Sequence, residues 1–282
     1  MTKLAKPSKI VCVEMKLVCD GVQLNVDVFG TGDPLLILHG FTGSASAMEP
    51  LVDRLSGRRI VPDLIGHGRS ESPASLNPYS LSNISNQLAS LLTQLDAPSA
   101  HVVGYSLGGR IALTLAANHP TMISSLAVIG ASPGIPDNRE RLHRLNNDRD
   151  LADSICQKGI GSFVDSWMGS PMWNSLQQRM TPEQWTRSLA QRRSSHPLGL
   201  ANSLRASGTG TMSPMHNKLK HLNVPTLLIV GEEDQKFRGI AKEMAAALPH
   251  GSCHVIKESG HATHLERPDA TARAISEHLE CS

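Results

Sequence analysis

The sequence contains no uninterrupted apolar run near the roughly 18 residues that a membrane-crossing helix needs, so no such span is expected. It has little charge of either sign to spare. The formal net charge is +2, which gives no strong field for nucleic acid or for a membrane surface. It has no Cys-x-x-Cys pair. Its five cysteines, Cys12, Cys19, Cys156, Cys253 and Cys281, are odd in number and scattered, a usage that fits reduced thiols in a cytosol-like compartment. No apolar stretch follows the early lysines, which argues against a secretory signal. The residues before about Ile10 read as a flexible leader, and a plastid is the alternative to the cytoplasm. Internal repeats and low-complexity tracts are also missing. What is present is an ordinary globular composition, 40% hydrophobic and 18% charged over 282 residues, enough for one large α/β domain with an inserted subdomain.

The most informative stretch is Ala100-His-Val-Val-Gly-Tyr-Ser-Leu-Gly-Gly-Arg-Ile-Ala-Leu113. It reads as a short apolar strand, a turn with glycine two residues to either side of Ser106, and a helix carried by Leu107, Ile111 and Leu115. Gly104-Tyr-Ser-Leu-Gly108 fits the G-x-S-x-G nucleophile elbow, in which a serine sits on a strained strand-to-helix turn. The bland alternative is a glycine-rich turn whose serine caps the helix.

The rest of the chain supplies a frame. Ile10–Val18 and Val22–Phe29 flank Asp20-Gly21 as a hairpin. Leu35-Leu-Ile-Leu38, Arg59–Pro62, Ser125–Gly130, Val224–Gly231 and Cys253–Ile256 are short buried-strand runs. Helices are expected at about Ala47–Leu55, Leu81–Leu95, Ile240–Leu248 and Asp269–Leu279. This β–α alternation predicts an α/β fold with a mostly parallel sheet flanked by helices, its chemistry at the carboxyl ends of the strands. From Pro136 to Met215 the strand signals vanish. That segment is polar, carries breakers at Pro171, Pro182, Pro197 and Gly208, and holds all three tryptophans and nine of the seventeen arginines. The expected division is a core of residues 1–135 and 216–282 and a helical cap of residues 136–215.

A serine hydroxyl at neutral pH needs a histidine to take its proton and an acid to orient that histidine. The α/β-hydrolase order is Ser, acid, His. Asp234 follows one strand run and His261 the next, so both reach the edge that carries Ser106. Glu232 and Glu233 are rivals to Asp234, and Asp137 is a weaker one. The bland reading of His261 is half of a His261-x-x-His264 metal pair, but no further ligands cluster with it, so neither a metal nor a cofactor is expected. The backbone N–H groups of Phe41 and Leu107 are the expected oxyanion hole. His67, in Gly66-His-Gly68, reads as a packed loop histidine. Arg110 lies one helical turn beyond Ser106, where it either bridges an acid beneath the site or grips a substrate carboxylate. The cap arginines Arg139, Arg141, Arg144, Arg149, Arg187, Arg192, Arg193 and Arg205 suit a polycarboxylate, although most of them are expected to be solvated surface charges.

Several of these stretches together resemble one family. Leu38-His-Gly-Phe-Thr-Gly43, Asp63-Leu-Ile-Gly-His-Gly-Arg-Ser70, Val103-Gly-Tyr-Ser-Leu-Gly-Gly-Arg-Ile-Ala112, Phe163-Val-Asp-Ser-Trp167, Gly231-Glu-Glu-Asp-Gln-Lys-Phe237 and Gly260-His-Ala-Thr-His-Leu-Glu266 are similar to the 2-succinyl-6-hydroxy-2,4-cyclohexadiene-1-carboxylate synthases, α/β-hydrolase-fold lyases of menaquinone and phylloquinone biosynthesis. The likeness runs from Leu35 to Arg267. It departs at Ile65, where proline is usual, and no family feature precedes Leu35.

The resemblance implies elimination of pyruvate from 2-succinyl-5-enolpyruvyl-6-hydroxy-3-cyclohexene-1-carboxylate without an acyl-enzyme. Ser106, polarised by His261 and Asp234, would abstract a ring proton next to a carbonyl. The resemblance also implies Tyr105, Arg110, Arg144 and Arg192 as substrate-binding residues and Trp167 as a pocket wall. Arg141 and Arg193 stand as alternatives to Arg144 and Arg192. The rival function is a carboxylester or carbon–carbon bond hydrolase acting through an acyl-enzyme. The expected partner is a small polycarboxylate, bound by a monomer or small homo-oligomer.

Overall fold

Short apolar runs bounded by Gly, Pro and Asp become the strands of one sheet. A computed structural model describes residues 12–281, so the expected leader and the first residues of the expected hairpin lie outside the described residues. The strands are β1 (Cys12–Cys19), β2 (Val22–Phe29), β3 (Pro34–Leu38), β4 (Arg58–Pro62), β5 (Ala100–Tyr105), β6 (Ile123–Ile129), β7 (Thr226–Gly231) and β8 (Gly251–Ile256). Their spatial order is β1-β2-β4-β3-β5-β6-β7-β8. β1 and β2 form an antiparallel hairpin, closed by Asp20 and Gly21 at φ 47° and 79°, the left-handed pair that a tight hairpin turn demands. β2 also runs antiparallel to β4, and every later pairing is parallel.

The helices are α1 (Glu49–Val52), α2 (Leu81–Gln94), α3 (Leu107–Asn118), α4 (Asn138–Met168), α5 (Asn174–Arg179), α6 (Pro182–Arg193), α7 (Pro197–Ser207), α8 (His216–Leu219), α9 (Gln235–Ala247), α10 (Thr263–Glu266) and α11 (Pro268–Glu280). They cover both faces of the sheet. Leu36 and Leu38 of β3 pack in one layer with Leu88 of α2, Ile111 of α3 and Met244 of α9. Leu35 and Ile37 pack in the other with Met48, Leu51 and Ile275 of α11. Strands covered on both faces have no wet side, which is why their sequences do not alternate.

Between β6 and β7 lie only helices and turns, α4 to α8. The prolines expected as breakers act as helix starters: Pro182 and Pro197 are the first residues of α6 and α7, where a missing N–H costs nothing. Asp137 caps α4 by accepting from the N–H groups of Arg139 and Glu140, and Gly159, at φ 81° and ψ 166°, interrupts the same helix. Two expected helices differ in extent. The one at 47–55 shrinks to a 3-10 turn, Ala45–Met48, followed by α1. The one expected from Ile240 begins five residues earlier, because the Asp234 carboxylate accepts from the Phe237 N–H at 3.3 Å and caps it. The chain passes from β3 outward to β4 and returns on the other side of β3 to β5. The loops after β3 and β5 therefore meet at the carboxyl edge where the strand order reverses, the place where open α/β sheets hold their ligands.

Candidate active site

The turn from β5 into α3 is too tight for side chains on either flank. A Cβ on Gly104 would lie 2.4 Å from the Gly108 carbonyl oxygen, and one on Gly108 would lie 2.4 Å from that of Leu38. Between them Ser106 takes φ 52° and ψ −104°, a conformation that costs an L-residue about 1–3 kcal/mol. The Ser106 N–H donates to the Ile129 carbonyl at 2.8 Å, which ties the elbow to β6. The strain is held by the surrounding backbone and aims the hydroxyl off the sheet edge.

The loops after β7 and β8 bring the other two groups to it. Asp234 precedes α9, and its Oδ2 accepts from His261 Nδ1 at 2.7 Å. His261 Nε2 lies 3.3 Å from Ser106 Oγ. With Nδ1–H given to the carboxylate, Nε2 is left as the acceptor for the serine proton. The other acids of this edge are engaged elsewhere. Glu232 accepts from the Glu258 N–H at 3.1 Å, Glu233 pairs with Arg179, and Asp137 caps α4.

Phe41 and Leu107 both line a cavity of about 530 Å³ that opens over Ser106. Neither backbone N–H donates to a protein acceptor among the described residues, so both amides are without protein partners. The Phe41 turn is fixed by His39, fully buried, which donates from Nδ1 to the Gly40 carbonyl at 2.8 Å and accepts the Leu64 N–H at Nε2, 3.0 Å. Burial pushes His39 down to about 4, so it is a neutral strut.

Tyr105, Arg110, Arg144 and Trp167 also line the cavity. Arg110 is buried, donates Nη1 to the Ser207 carbonyl at 2.6 Å, and forms no ion pair among the described residues. Burial, helped by nearby Arg144 and opposed by Asp148, lowers it to about 10. Arg144 is paired with Asp148 at 2.8 Å, one turn along α4. Trp167 stacks with Phe163 and meets Phe41 edge-on, at centroid distances of 5.9 and 5.6 Å. Arg192 does not join the lining. Its guanidinium lies over the Trp173 ring at 5.5 Å and donates to the Ser188 carbonyl at 3.1 Å, so Trp173 stands where the arginine was expected. Its alternative, Arg193, pairs with Asp165 on the surface, and Arg141, the alternative to Arg144, binds the Ile135 carbonyl; neither joins the lining. Asp148 and Lys236, both in the lining, lie in stretches that resemble the family but were given no role from the sequence. The signal for Asp148 was its spacing of four from Arg144 on one helix face.

A family model described as the alpha/beta hydrolase fold matches residues 33–268. A protein of Bacillus subtilis (strain 168), provisionally named 2-succinyl-6-hydroxy-2,4-cyclohexadiene-1-carboxylate synthase, is 34% identical over 93% of this chain and 96% of its own. The chain belongs to the 2-succinyl-6-hydroxy-2,4-cyclohexadiene-1-carboxylate synthase family of α/β hydrolases. The synthase of Salmonella paratyphi A is 30% identical over 87% of this chain and 93% of its own. The structure of MenH from S. aureus superposes with a TM-score of 0.85 at 32% identity, covering 90% of this chain and 97% of that one. A thermophilic esterase from Thermogutta terrifontis, at 24% identity and a TM-score of 0.82, shares the fold over 95% of this chain and 98% of its own.

In this synthase-family chain the remaining buried histidines frame the site without joining the relay. His264 packs against the Tyr105 ring at 4.2 Å between centroids, tilted by 49°, and His67 binds the Ile65 carbonyl at 2.9 Å. Burial pushes each of them down to about 3. Lowered folded values mean that the unfolded chain takes up protons first. Stability from His39, His67 and His264 is therefore complete above their ordinary 6.5 and lost as pH falls toward 4 and below. Three such groups give a slope of up to about 4 kcal/mol per pH unit. Thermal unfolding followed against pH should show a flat Tm above pH ~7 and a steep decline below the ordinary histidine value of about 6.5. A Tm unchanged from pH ~7 down to about 4 would show that the three imidazoles are not held neutral.

Proposed function

We propose that this protein eliminates pyruvate from 2-succinyl-5-enolpyruvyl-6-hydroxy-3-cyclohexene-1-carboxylate, giving 2-succinyl-6-hydroxy-2,4-cyclohexadiene-1-carboxylate. One observation carries the reading. The Asp234–His261–Ser106 relay shares its cavity with Arg110, a buried cation in direct contact with no carboxylate among the described residues, the nearby Asp148 being paired with Arg144. A relay suits many reactions, but a desolvated, unpaired guanidinium beside it suits a substrate that brings its own carboxylate.

The chemistry follows from the geometry. Ser106 Oγ takes the ring C2 proton as its own proton passes to His261 Nε2, and Asp234 stabilises the imidazolium. The C2–H electron pair forms the C2–C3 double bond, the C3–C4 double bond moves to C4–C5, and the C5–O bond breaks. The enolpyruvate that departs is protonated on carbon to pyruvate, His261 being the nearest proton source. Negative charge that develops on the succinyl carbonyl oxygen lies against the free amides of Phe41 and Leu107. The helices of residues 136–215 act as a cap, with Trp167 and Trp173 as walls and Arg144 at the cavity side. All five cysteines are free, which agrees with a reducing compartment, and no helix among the described residues is long and apolar enough to cross a membrane.

The test is to supply the precursor, generated in situ, and follow pyruvate. Stoichiometric release is expected. If pyruvate is absent and p-nitrophenyl acetate is cleaved with a burst, the cavity instead serves an acyl-enzyme hydrolase.

A further inference from the structure

Outside the lining, one guanidinium touches both loops that carry the relay. Arg179 ends α5 and does not face the cavity. Its Nη1 lies 3.3 Å from Glu233 Oε2, its Nη2 binds Glu233 Oε1, and its Nη1 is 3.6 Å from Glu266 Oε2. The Ser175 hydroxyl, 2.6 Å from Nη1, donates to the same Glu266 oxygen. Glu233 is the residue before Asp234. Glu266, its side chain 1% exposed, accepts the Gly260 N–H at 2.8 Å and the Ala262 N–H at 3.1 Å, the residues on either side of His261. The Glu233 N–H also donates to the Ser259 carbonyl at 2.9 Å, so the acid loop and the base loop are already side by side.

We infer that Arg179 is a positioning residue: it fastens α5 to the acid and base loops together and keeps His261 within reach of both Asp234 and Ser106. The reading rests on the relay being the working site. Physically, Glu266 is a buried carboxylate that, among the described residues, is met by two backbone N–H groups, one hydroxyl and the Arg179 cation. Removing the cation leaves a buried charge under-compensated exactly where it brackets His261, and it releases Glu233 from the turn that sets Asp234. A displacement of about 1 Å in such a relay is worth up to about 100-fold in rate. Arg179 itself stands outside the cavity lining, although its partners Ser175 and Glu233 are in it, so the loss belongs mainly in kcat and only slightly in KM.

Two readouts separate this from the substrate assignment. One is steady-state pyruvate release. The other is phosphonylation of Ser106 by a fluorophosphonate, which needs only the relay: an Oγ–P bond forms, the P–F bond breaks, fluoride leaves, and the hydroxyl proton goes to His261. Arg179→Met should lower kcat and the phosphonylation rate together by about 10- to 100-fold with KM within about threefold, and Arg179→Lys should recover most of both. The low-field proton resonance of His261 Nδ1–H, expected in the parent protein from its 2.7 Å bond to Asp234, should broaden or vanish in Arg179→Met and return in Arg179→Lys. If Arg179→Met folds poorly, Glu233→Gln, which loosens the exposed arm of the same contact, is read in its place and should slow phosphonylation to a lesser degree. Slower phosphonylation in a protein that makes no pyruvate would sink the substrate assignment and still support the role of Arg179. Parent-like phosphonylation and an unchanged imidazole resonance in Arg179→Met would overturn the inference.

Discussion

Replacing Ser106 with alanine should lower kcat for pyruvate release by at least about 100-fold while leaving substrate affinity nearly intact. The hydroxyl is the one atom of the relay placed to meet a substrate proton, since His261 Nε2 sits 3.3 Å behind it. Water in the vacated space would meet the imidazole without the fixed orientation that the elbow provides, so residual turnover should be small but measurable. The same position makes a second, opposite statement about stability. Ser106 holds φ 52°, a value that glycine accepts without strain, so Ser106→Gly should raise stability by about 1 kcal/mol while abolishing turnover. Calorimetry on the two variants checks this. An alanine variant that works at the parent rate would remove Ser106 from the reaction.

Arg110→Met should lower kcat/KM by about 100-fold or more. A charge-assisted hydrogen bond contributes about 1.5–3 kcal/mol, and a two-pronged grip on a carboxylate therefore approaches or exceeds the ~2.8 kcal/mol that corresponds to 100-fold. Arg110 is buried, bonded to the Ser207 carbonyl and in no ion pair among the described residues, and the nearby Asp148 is held by Arg144, so a ligand carboxylate meets little competition for it. An isolated buried cation is a burden on the fold. Methionine, which fills similar volume without charge, should therefore leave the Tm unchanged or higher. This pairing of a gain in stability with a loss in kcat/KM distinguishes a ligand-binding arginine from a structural one, whose removal would lower both. Undiminished kcat/KM in Arg110→Met would end the carboxylate-gripping role.

The chain disclosed its sheet more readily than the helices between β6 and β7, and the reason is physical. Buried parallel strands leave short apolar runs, and an elbow with no room for Cβ atoms leaves glycines at fixed offsets, so Gly104, Ser106 and Gly108 stood out. Asp234 and His261 followed from chain order, and the 2.7 Å contact between them shows that the two loops do meet. The helices between β6 and β7 are polar on most faces, and their packing depends on partners distant in sequence. Nothing local distinguished Arg192, which turns under Trp173, from an arginine facing the cavity. Arg179 and Glu266 are 87 residues apart and meet only through the fold. Glu266 did appear within the Gly260-His-Ala-Thr-His-Leu-Glu266 stretch, but its clasp on the two amides beside His261 needs a turn geometry that no periodicity encodes.

The central claim is that Ser106 acts as a base and never as an acyl carrier. Intact-protein mass measured during a single turnover of the precursor, with pyruvate quantified in the same quench, addresses it most directly. The account predicts one pyruvate per substrate consumed and a protein mass that stays at that of the free chain throughout. A transient mass increase on Ser106, or substrate consumed without pyruvate, would contradict it.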